Sequence, residues 1–573
     1  MTRAADKGRI AMRRHYRSMG LAAAVLLLVS CARSAVDNKV ATAPEPAAQA
    51  KAAGEIVVTG SIMRQSDMAP RIAPFAPPPP PAPGMYVQQW ASPPHHDQGR
   101  DKFTSVAENP FKVVREDPVS TFSIDVDTAS YAWVRASLNR NLLPQPAAVR
   151  TEEMVNYFPY DYAPPRSARQ PFSTNVAVFP SPWSPGRKLV RIGIKGYAIG
   201  RAAQPHANLV FLIDTSGSMQ EPNKLPLVQQ SLRLLVDELQ PTDTVAIVTY
   251  AGYAGTALQP TQVRDKQKII GVIDSLGAGG STAGAEGIRQ AYALAEANLD
   301  PKGVNRVILT TDGDFNVGIT DQNELKGYIE RERGKGVFLS VLGFGMGNYN
   351  DALMQTLAQN GNGAAAYIDT INEARKTLVE EASSTLFPIA KDVKIQVEFN
   401  PAAVAEYRLI GYETRALNRD DFDNDKVDAG DVGSGQSVTA IYEIVPAGGA
   451  RTMADLRYAA PAKVANPSSE YGYVQIRYKL PRSDTSRLIA TPIDRRSEFA
   501  SFAAAPQDAR FAAAVAGFAE MLRGGKYSGS LSCDDVLRMA NGSKGKDEFG
   551  YRSEFVQLVR AAKSARTLAK VGE

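Results

Sequence analysis

Five apolar residues in a row, Leu209-Val210-Phe211-Leu212-Ile213, run directly into Asp214-Thr215-Ser216-Gly217-Ser218. A strand without polar positions must be covered on both faces, which points to a parallel sheet between layers of helix. The flanking sequence agrees. Between residues 206 and 384, apolar strands at Leu209–Ile213, Val245–Tyr250, Val307–Thr310, Val337–Leu342 and Ala365–Ile368 alternate with helical stretches at Leu227–Leu239, Lys266–Ser275, Ala283–Ala297, Asn323–Arg333, Asp351–Gln359 and Ile371–Ser384. Leu227, Ser231, Leu234 and Leu235 mark the buried stripe of the first helix. Strand–helix alternation of this kind gives an α/β fold, and such folds place ligands just beyond the carboxyl ends of their strands.

Three segments converge on that end. Asp214, Ser216 and Ser218 follow the first strand. Gly279-Gly280-Ser281-Thr282-Ala283-Gly284 is a glycine-rich turn opening a helix and carries Thr282. Arg306-Val307-Ile308-Leu309-Thr310-Thr311-Asp312-Gly313 is a second apolar strand ending on an acid. Hydroxyl and carboxylate oxygens are hard ligands that suit Mg²⁺, whereas zinc calls for His or Cys. Asp-x-Ser-x-Ser, a Thr in a Gly-rich turn and Thr-Asp-Gly after an apolar strand together resemble the metal-ion-dependent adhesion site of von Willebrand factor type A domains. That resemblance implies a Rossmann-like fold with Asp214, Ser216, Ser218, Thr282 and Asp312 around Mg²⁺ or Mn²⁺. It also implies hydroxyls that bind directly, aspartates that act mainly through waters, and an open position filled by an Asp or Glu carboxylate of a protein ligand.

The amino terminus sets an expected address. Arg13, Arg14 and Arg17 precede the apolar run Leu21–Val29, too short to span a bilayer, so residues 1–30 are expected to be a signal peptide; Met12 is an alternative start. Leu28-Val29-Ser30-Cys31 resembles a bacterial lipobox, which implies acylation of Cys31 and a lipid anchor in the cell envelope. Ala32 at the next position favours the outer membrane. With Cys31 acylated, Cys533 is left without an intramolecular disulfide partner among the 2 cysteines. Residues 31–108 are rich in Ala and Pro, with Pro77–Pro81 at their centre, and read as a tether without a core. Within it, Glu55-Ile56-Val57-Val58-Thr59-Gly60 is similar to segments near the N-termini of TonB-dependent receptors. It is either an incidental β-prone stretch, the favoured reading, or a strand-addition partner at residues 55–60. The net charge of +5, partly in the leader, gives no sign of a nucleic-acid partner.

The remaining chain divides into an N-terminal α+β region (109–205), the α/β domain (206–384), a β region (385–490) and a helical region (491–573). Phe122-Ser123-Ile124-Asp125-Val126 reads as a strand, with Asp127 or Thr128 capping a helix that buries Tyr131, Val134 and Leu138. Val393, Ile395, Val397 and Phe399 alternate, as do stretches near Tyr407–Tyr412, Ser437–Val445 and Tyr471–Leu480. With the strands near Phe172–Phe179 and Lys188–Lys195 they are expected to form one antiparallel β-sandwich into which the α/β domain is inserted. Phe511, Val515, Phe518 and Leu522 form one helical stripe, and Phe555, Leu558, Val559 and Ala562 another. Ser120 to Tyr162, including Glu152-Glu153-Met154-Val155-Asn156-Tyr157-Phe158, and the C-terminal region resemble a YfbK-like family of bacterial von Willebrand factor A lipoproteins. The acidic loop Asp421–Asp428 carries Lys426 and Val432 where a calcium-binding EF-hand needs Gly and Glu, so a solvated turn is favoured over a Ca²⁺ site. The expected function is Mg²⁺-dependent protein binding rather than catalysis. An envelope scaffold with a structural metal, or a metal-assisted hydrolase, are the alternatives.

Overall fold

The computed structural model describes residues 102–124, 127–281, 284–313, 322–347, 349–454 and 470–571. The leader, Cys31, the tether up to residue 101 with residues 55–60, and Thr282 lie outside the described residues. Residues 102–108, expected to belong to the tether, are described: Lys102 bridges to Asn350 and Phe103 packs on Trp133. The N-terminal region supplies β1 (Lys112–Val113), β2 (Val119–Ser123), α1 (Ala129–Asn139), α2 (Thr151–Asn156), β3 (Phe172–Pro180) and β4 (Lys188–Gly196). The α/β unit runs β5 (Ala207–Asp214), α3 (Leu225–Glu238), β6 (Thr244–Tyr250), β7 (Ala254–Gln262), α4 (Lys266–Ser275), α5 (Gly284–Ala297), β8 (Val304–Thr311), α6 (Gln322–Gly334), β9 (Val337–Phe344), α7 (Asp351–Asn360), β10 (Ala365–Ile368), α8 (Ile371–Arg375) and α9 (Ala382–Leu386). Then follow β11 (Pro388–Phe399), β12 (Val404–Ile410), β13 (Ala416–Leu417), β14 (Gly430–Gly433), β15 (Ser437–Pro446), β16 (Glu470–Lys479), β17 (Ser486–Asp494) and the helices α10 (Gln507–Arg523), α11 (Cys533–Ser543) and α12 (Tyr551–Val571).

The α/β sheet has the order β10-β9-β8-β5-β6-β7, parallel except for the β6–β7 pair. Leu209, Phe211 and Ile213 face α3 and α4 through Val228, Leu232, Ile269 and Ile273. Val210, Leu212, Val307 and Leu309 face α5 and α6 through Ile288, Tyr292, Leu325 and Ile329. Both sides of the central strand are thus dry, as its unbroken apolar sequence requires. Helix α1 joins the second layer through Ala129, Ala132 and Trp133, while its other face, Tyr131, Val134 and Leu138, packs with α2, α10 and α12.

The remaining strands make two antiparallel sheets, β1-β12-β15-β4-β3 and β13-β2-β11-β16-β17, with β14 against β11. Both sheets combine strands from before and after the α/β unit, so this is an α/β domain inserted in a β-sandwich, followed by helices. Val393, Ile395, Val397 and Phe399 all enter the sandwich core opposite Val190, Ile192, Tyr442 and Ile444.

Three local expectations are corrected. Asp127 does not cap α1, and Thr128, the residue before that helix, makes no side-chain cap bond. Instead Asp127 accepts from the Ala365 amide and from Arg415, each at 2.9 Å, tying the start of α1 to β10 and the sandwich. The helix expected over Ile371–Ser384 is broken into α8, a π-helical turn over Lys376–Glu380, and α9. The β-branched Thr377 and Val379 and the run Ser383-Ser384-Thr385 are weak helix formers, so packing of Leu378 and Leu386 decides the path. After Tyr250, where Tyr250-Ala251-Gly252 reads as the start of a surface loop, the chain makes a short turn and returns as β7; Gly255 and Pro260 interrupt its alternation.

Buried ion pairs bind the layers together. Arg135 on α1 donates to Asp369 Oδ2 (2.9 Å) just past β10, to Glu373 (2.7 Å) on α8, to Tyr157 (2.9 Å) and to Glu554 (3.1 Å) on α12. Arg150 pairs with Glu153 and with Asp351 at the start of α7. Arg408, on β12, meets Glu520 on α10 and Glu443 on β15.

Candidate metal centre

β5 ends on Asp214, which is fully buried. The chain then turns, and Asp214 Oδ1 accepts from the Ser216 amide at 2.9 Å, an Asx turn that fixes the carboxylate. The turn brings the Ser216 and Ser218 hydroxyls to 3.1 Å from one another. Asp214 Oδ2 makes no hydrogen bond of acceptable geometry, although the Tyr250 phenol is close enough to lower the Asp214 pKa. A buried carboxylate oxygen without a hydrogen bond, beside two facing hydroxyls, is the donor set a hard cation needs.

The glycine-rich loop is strapped onto this turn. Gly217 N–H donates to the Gly280 carbonyl (3.0 Å), and Gly279 N–H donates to the Thr215 carbonyl (2.8 Å). Gly280 has a φ of +87°, and a side chain there would press on the Gly252 amide at 3.3 Å. This loop therefore delivers Ser281, the neighbour of Thr282, to the edge of the Asp214 turn; Thr282 itself is outside the described residues. Asp312 follows β8, whose strand lies directly beside β5 in parallel register (Ile213 opposite Thr310). It is 1% exposed.

Lys224 is the residue sequence reasoning missed. Its ammonium donates to Asp312 Oδ2 and to the Ser218 carbonyl, both at 3.0 Å. Its stem lies over Gly345, where an added Cβ would come within 2.5 Å of the Lys224 side chain. Nothing in the local pattern marks it, because its role depends on a partner 88 positions along the chain.

Burial pushes the Asp214 carboxyl up to about 6; the Ser216 amide opposes this and the Asp312 charge adds to it. With Asp214 and Asp312 ionised and Lys224 protonated, the three groups carry a net charge of −1. The donors are carboxylate and hydroxyl oxygens. Among the described residues there is no cluster of three or more His, Cys, Asp or Glu with metal-binding geometry. The residues present fit a hard divalent cation and not a thiolate or imidazole site.

The other flagged features resolve differently. In the acidic loop, Asp423 and Asp425 pair with Arg477, and Asp428 pairs with Arg333. Those three carboxylates are engaged by two arginines. Cys533 is a free, buried thiol on α11, and His206 lies 3.3 Å from Asp300. Among the described residues, no helix is long and apolar enough to cross a membrane.

Comparison with known proteins identifies the domains that carry these residues. Residues 208–381 match the von Willebrand factor type A domain, residues 97–191 match von Willebrand factor, and residues 384–565 match the C-terminal region of the uncharacterized protein YfbK. The chain is 44% identical over 472 residues to the uncharacterized protein YfbK of Escherichia coli (strain K12), covering 81% of each chain. It is 27% identical to human inter-alpha-trypsin inhibitor heavy chain H4, over 34% of this chain and 21% of that one. Among solved structures, a von Willebrand factor type A protein from Catenulispora acidiphila aligns over 69% of this chain and 91% of its own, at 15% identity and a TM-score of 0.40.

Proposed function

Because this chain belongs to the YfbK-like family of von Willebrand factor type A proteins, we propose that it is an envelope-anchored module that captures a protein ligand through Mg²⁺ or Mn²⁺. Homologues of the domain point to protein–protein interaction as the coarse function. The finer reading assigns the ion to Asp214, Ser216, Ser218, Thr282 and Asp312, and the anchor to an acylated Cys31. The observation that carries it is the buried Asp214 Oδ2, without a hydrogen bond, beside the paired Ser216 and Ser218 hydroxyls.

When bound, the ion supplies an under-neutralised positive centre with room for an outside carboxylate. The chain's own part is to keep that centre positive. Ser216 and Ser218 give neutral oxygens, Lys224 cancels one aspartate, and so a divalent cation on a site of net −1 retains a charge of +1. An Asp or Glu of a partner protein then meets an attraction that a neutral side chain does not.

The test is Asp214→Ala in the full chain. Mg²⁺ titration calorimetry should show binding lost, and chelator-sensitive crosslinks to envelope proteins should disappear while the thermal unfolding profile without metal is kept. Capture of the same partners with unchanged affinity by the variant would refute the adhesion reading.

A further inference from the structure

A cavity of about 650 Å³ lies away from the metal centre, between the amino-terminal ends of β8 and β10, the π-helical turn, α9 and the sandwich segment 428–438. Arg306 lines it from the middle layer of the α/β sheet and is 3% exposed. Its guanidinium donates to Ser340 Oγ at 2.6 Å and lies 5.6 Å from the Phe338 ring centre, but its Nε has no partner. No described carboxylate comes within 4.0 Å of it, whereas the buried Arg135, Arg408 and Arg415 each meet one. Burial pulls the Arg306 pKa down to about 10, with Asp431 opposing, so it stays charged near neutrality.

The same cavity exposes two further donors of the same kind. Thr377, on the π-helical turn, has a buried hydroxyl with no partner. π-Helical turns cluster at functional sites. Lys195 reaches only neutral oxygens, the Gly435 carbonyl at 2.7 Å and Ser437 Oγ at 3.0 Å. Five acids line the wall: Asp127, Glu381 and Asp428 are paired with Arg415, Lys376 and Arg333, Glu380 accepts from the Tyr551 hydroxyl at 2.6 Å, and Asp431 acts on Arg306 only from beyond ion-pair distance. The wall thus holds, among its charged pairs, one guanidinium and one ammonium that are in no ion pair, Arg306 and Lys195, and an unpartnered hydroxyl, in a space of the size that holds small molecules.

We propose that this cavity is a binding site for a small organic oxyanion, a molecule whose carboxylate or phosphate group is received by Arg306 and Thr377 with Lys195 at the wall. Arginine offers planar paired donors for both groups, and a buried guanidinium lacking a counter-ion gains most from one. The site is independent of the metal centre.

Calorimetry and thermal unfolding of the full chain without divalent metal would test it, using inorganic phosphate and succinate as separate probes against sodium chloride of matched ionic strength. At least one probe should bind saturably and raise the unfolding temperature; which one does so separates phosphate from carboxylate chemistry. Arg306→Met should weaken that binding at least tenfold, Thr377→Val severalfold, and Asp214→Ala not at all. Arg306→Met removes an unpaired buried cation and should unfold at a higher temperature than the parent without anion. If that variant does not fold, the Thr377→Val comparison decides. Absence of binding by both probes beyond the chloride control, or unchanged affinity in Arg306→Met and Thr377→Val, would overturn the proposal.

Discussion

Replacing Arg135 by Met should unpick the junction between the α/β domain and the C-terminal helices. The guanidinium is 3% exposed and its partners Asp369 and Glu373 are 7% and 1% exposed. Methionine of similar length fills the space but leaves two buried carboxylates without their cation. Breaking a buried pair from one side costs about 3–5 kcal/mol. Unfolding entropy of ~2.1 cal/mol/K per residue makes each kcal/mol worth only about 1 °C in a chain of this size, so Tm should fall by about 3–5 °C at pH 8. The sign of the pH dependence follows from Asp369, whose pKa is raised by burial and held down by Arg135. Without the arginine it rises further above its unfolded value of ~3.9, so the variant takes up a proton on folding. The loss is therefore full above that raised pKa and shrinks as pH falls towards 4. Calorimetric scans at pH 8 and pH 5 measure both numbers, and the triple variant Arg135→Met, Asp369→Asn, Glu373→Gln should recover most of the deficit. A drop below about 1 °C at pH 8, or a deficit that grows on acidification, would refute the assignment of Arg135 as the hub.

Lys224→Met should tighten Mg²⁺ binding at least tenfold, because it removes a unit charge 3.0 Å from Asp312; an unchanged Kd by calorimetry would mean that the ammonium leaves when the ion enters. Glu152 is fully buried, and burial with the charges of Glu413 and Glu153 pushes its pKa up to about 7. Its ionisation therefore weighs on the fold increasingly from about pH 4.5 and fully above 7, so Glu152→Gln should stabilise by up to about 3 kcal/mol at pH 8 and hardly at all at pH 4 in denaturant titrations. A Cβ at Gly363 would lie 1.9 Å from the Leu339 carbonyl oxygen; Gly363→Ala should cost several kcal/mol, seen as loss of soluble protein or a large fall in Tm.

The central strand was legible because Leu209–Ile213 has no polar position to misplace, and the sandwich strand at Val393–Phe399 because its period of two is unbroken. The Asp214, Ser216 and Ser218 cluster was legible for the opposite reason: its three side chains come from one turn, so spacing alone brings them together. What depended on distant partners was not. Asp127 has the look of a cap, yet its carboxylate is claimed by Ala365 and Arg415. Trp133 falls off the stripe of α1 because that helix is buried on two sides, one by an insertion far along the chain. Lys224 and Arg306 are single charges among many, and only the fold shows that one has a carboxylate beside it and the other has none.

The sandwich is stitched from strands on either side of the α/β insertion: β2 finds β11 and β13, and β1 finds β12. A chain made from its amino terminus therefore holds those first strands unmatched until more than half of it has been synthesised. The insertion resolves the wait. Its entrance and exit are tied to the same loop, with Gly435 N–H on the Tyr197 carbonyl (2.9 Å) and Ser434 N–H on the Phe387 carbonyl (2.8 Å). Once folded, it shortens a long span of chain to a bond's reach, and most of the loop-closure entropy of the sandwich has already been met. Assembly order is thus written into the topology: lesions inside the insertion should leave β1 and β2 as open strand edges, and aggregation through those edges should be their first symptom.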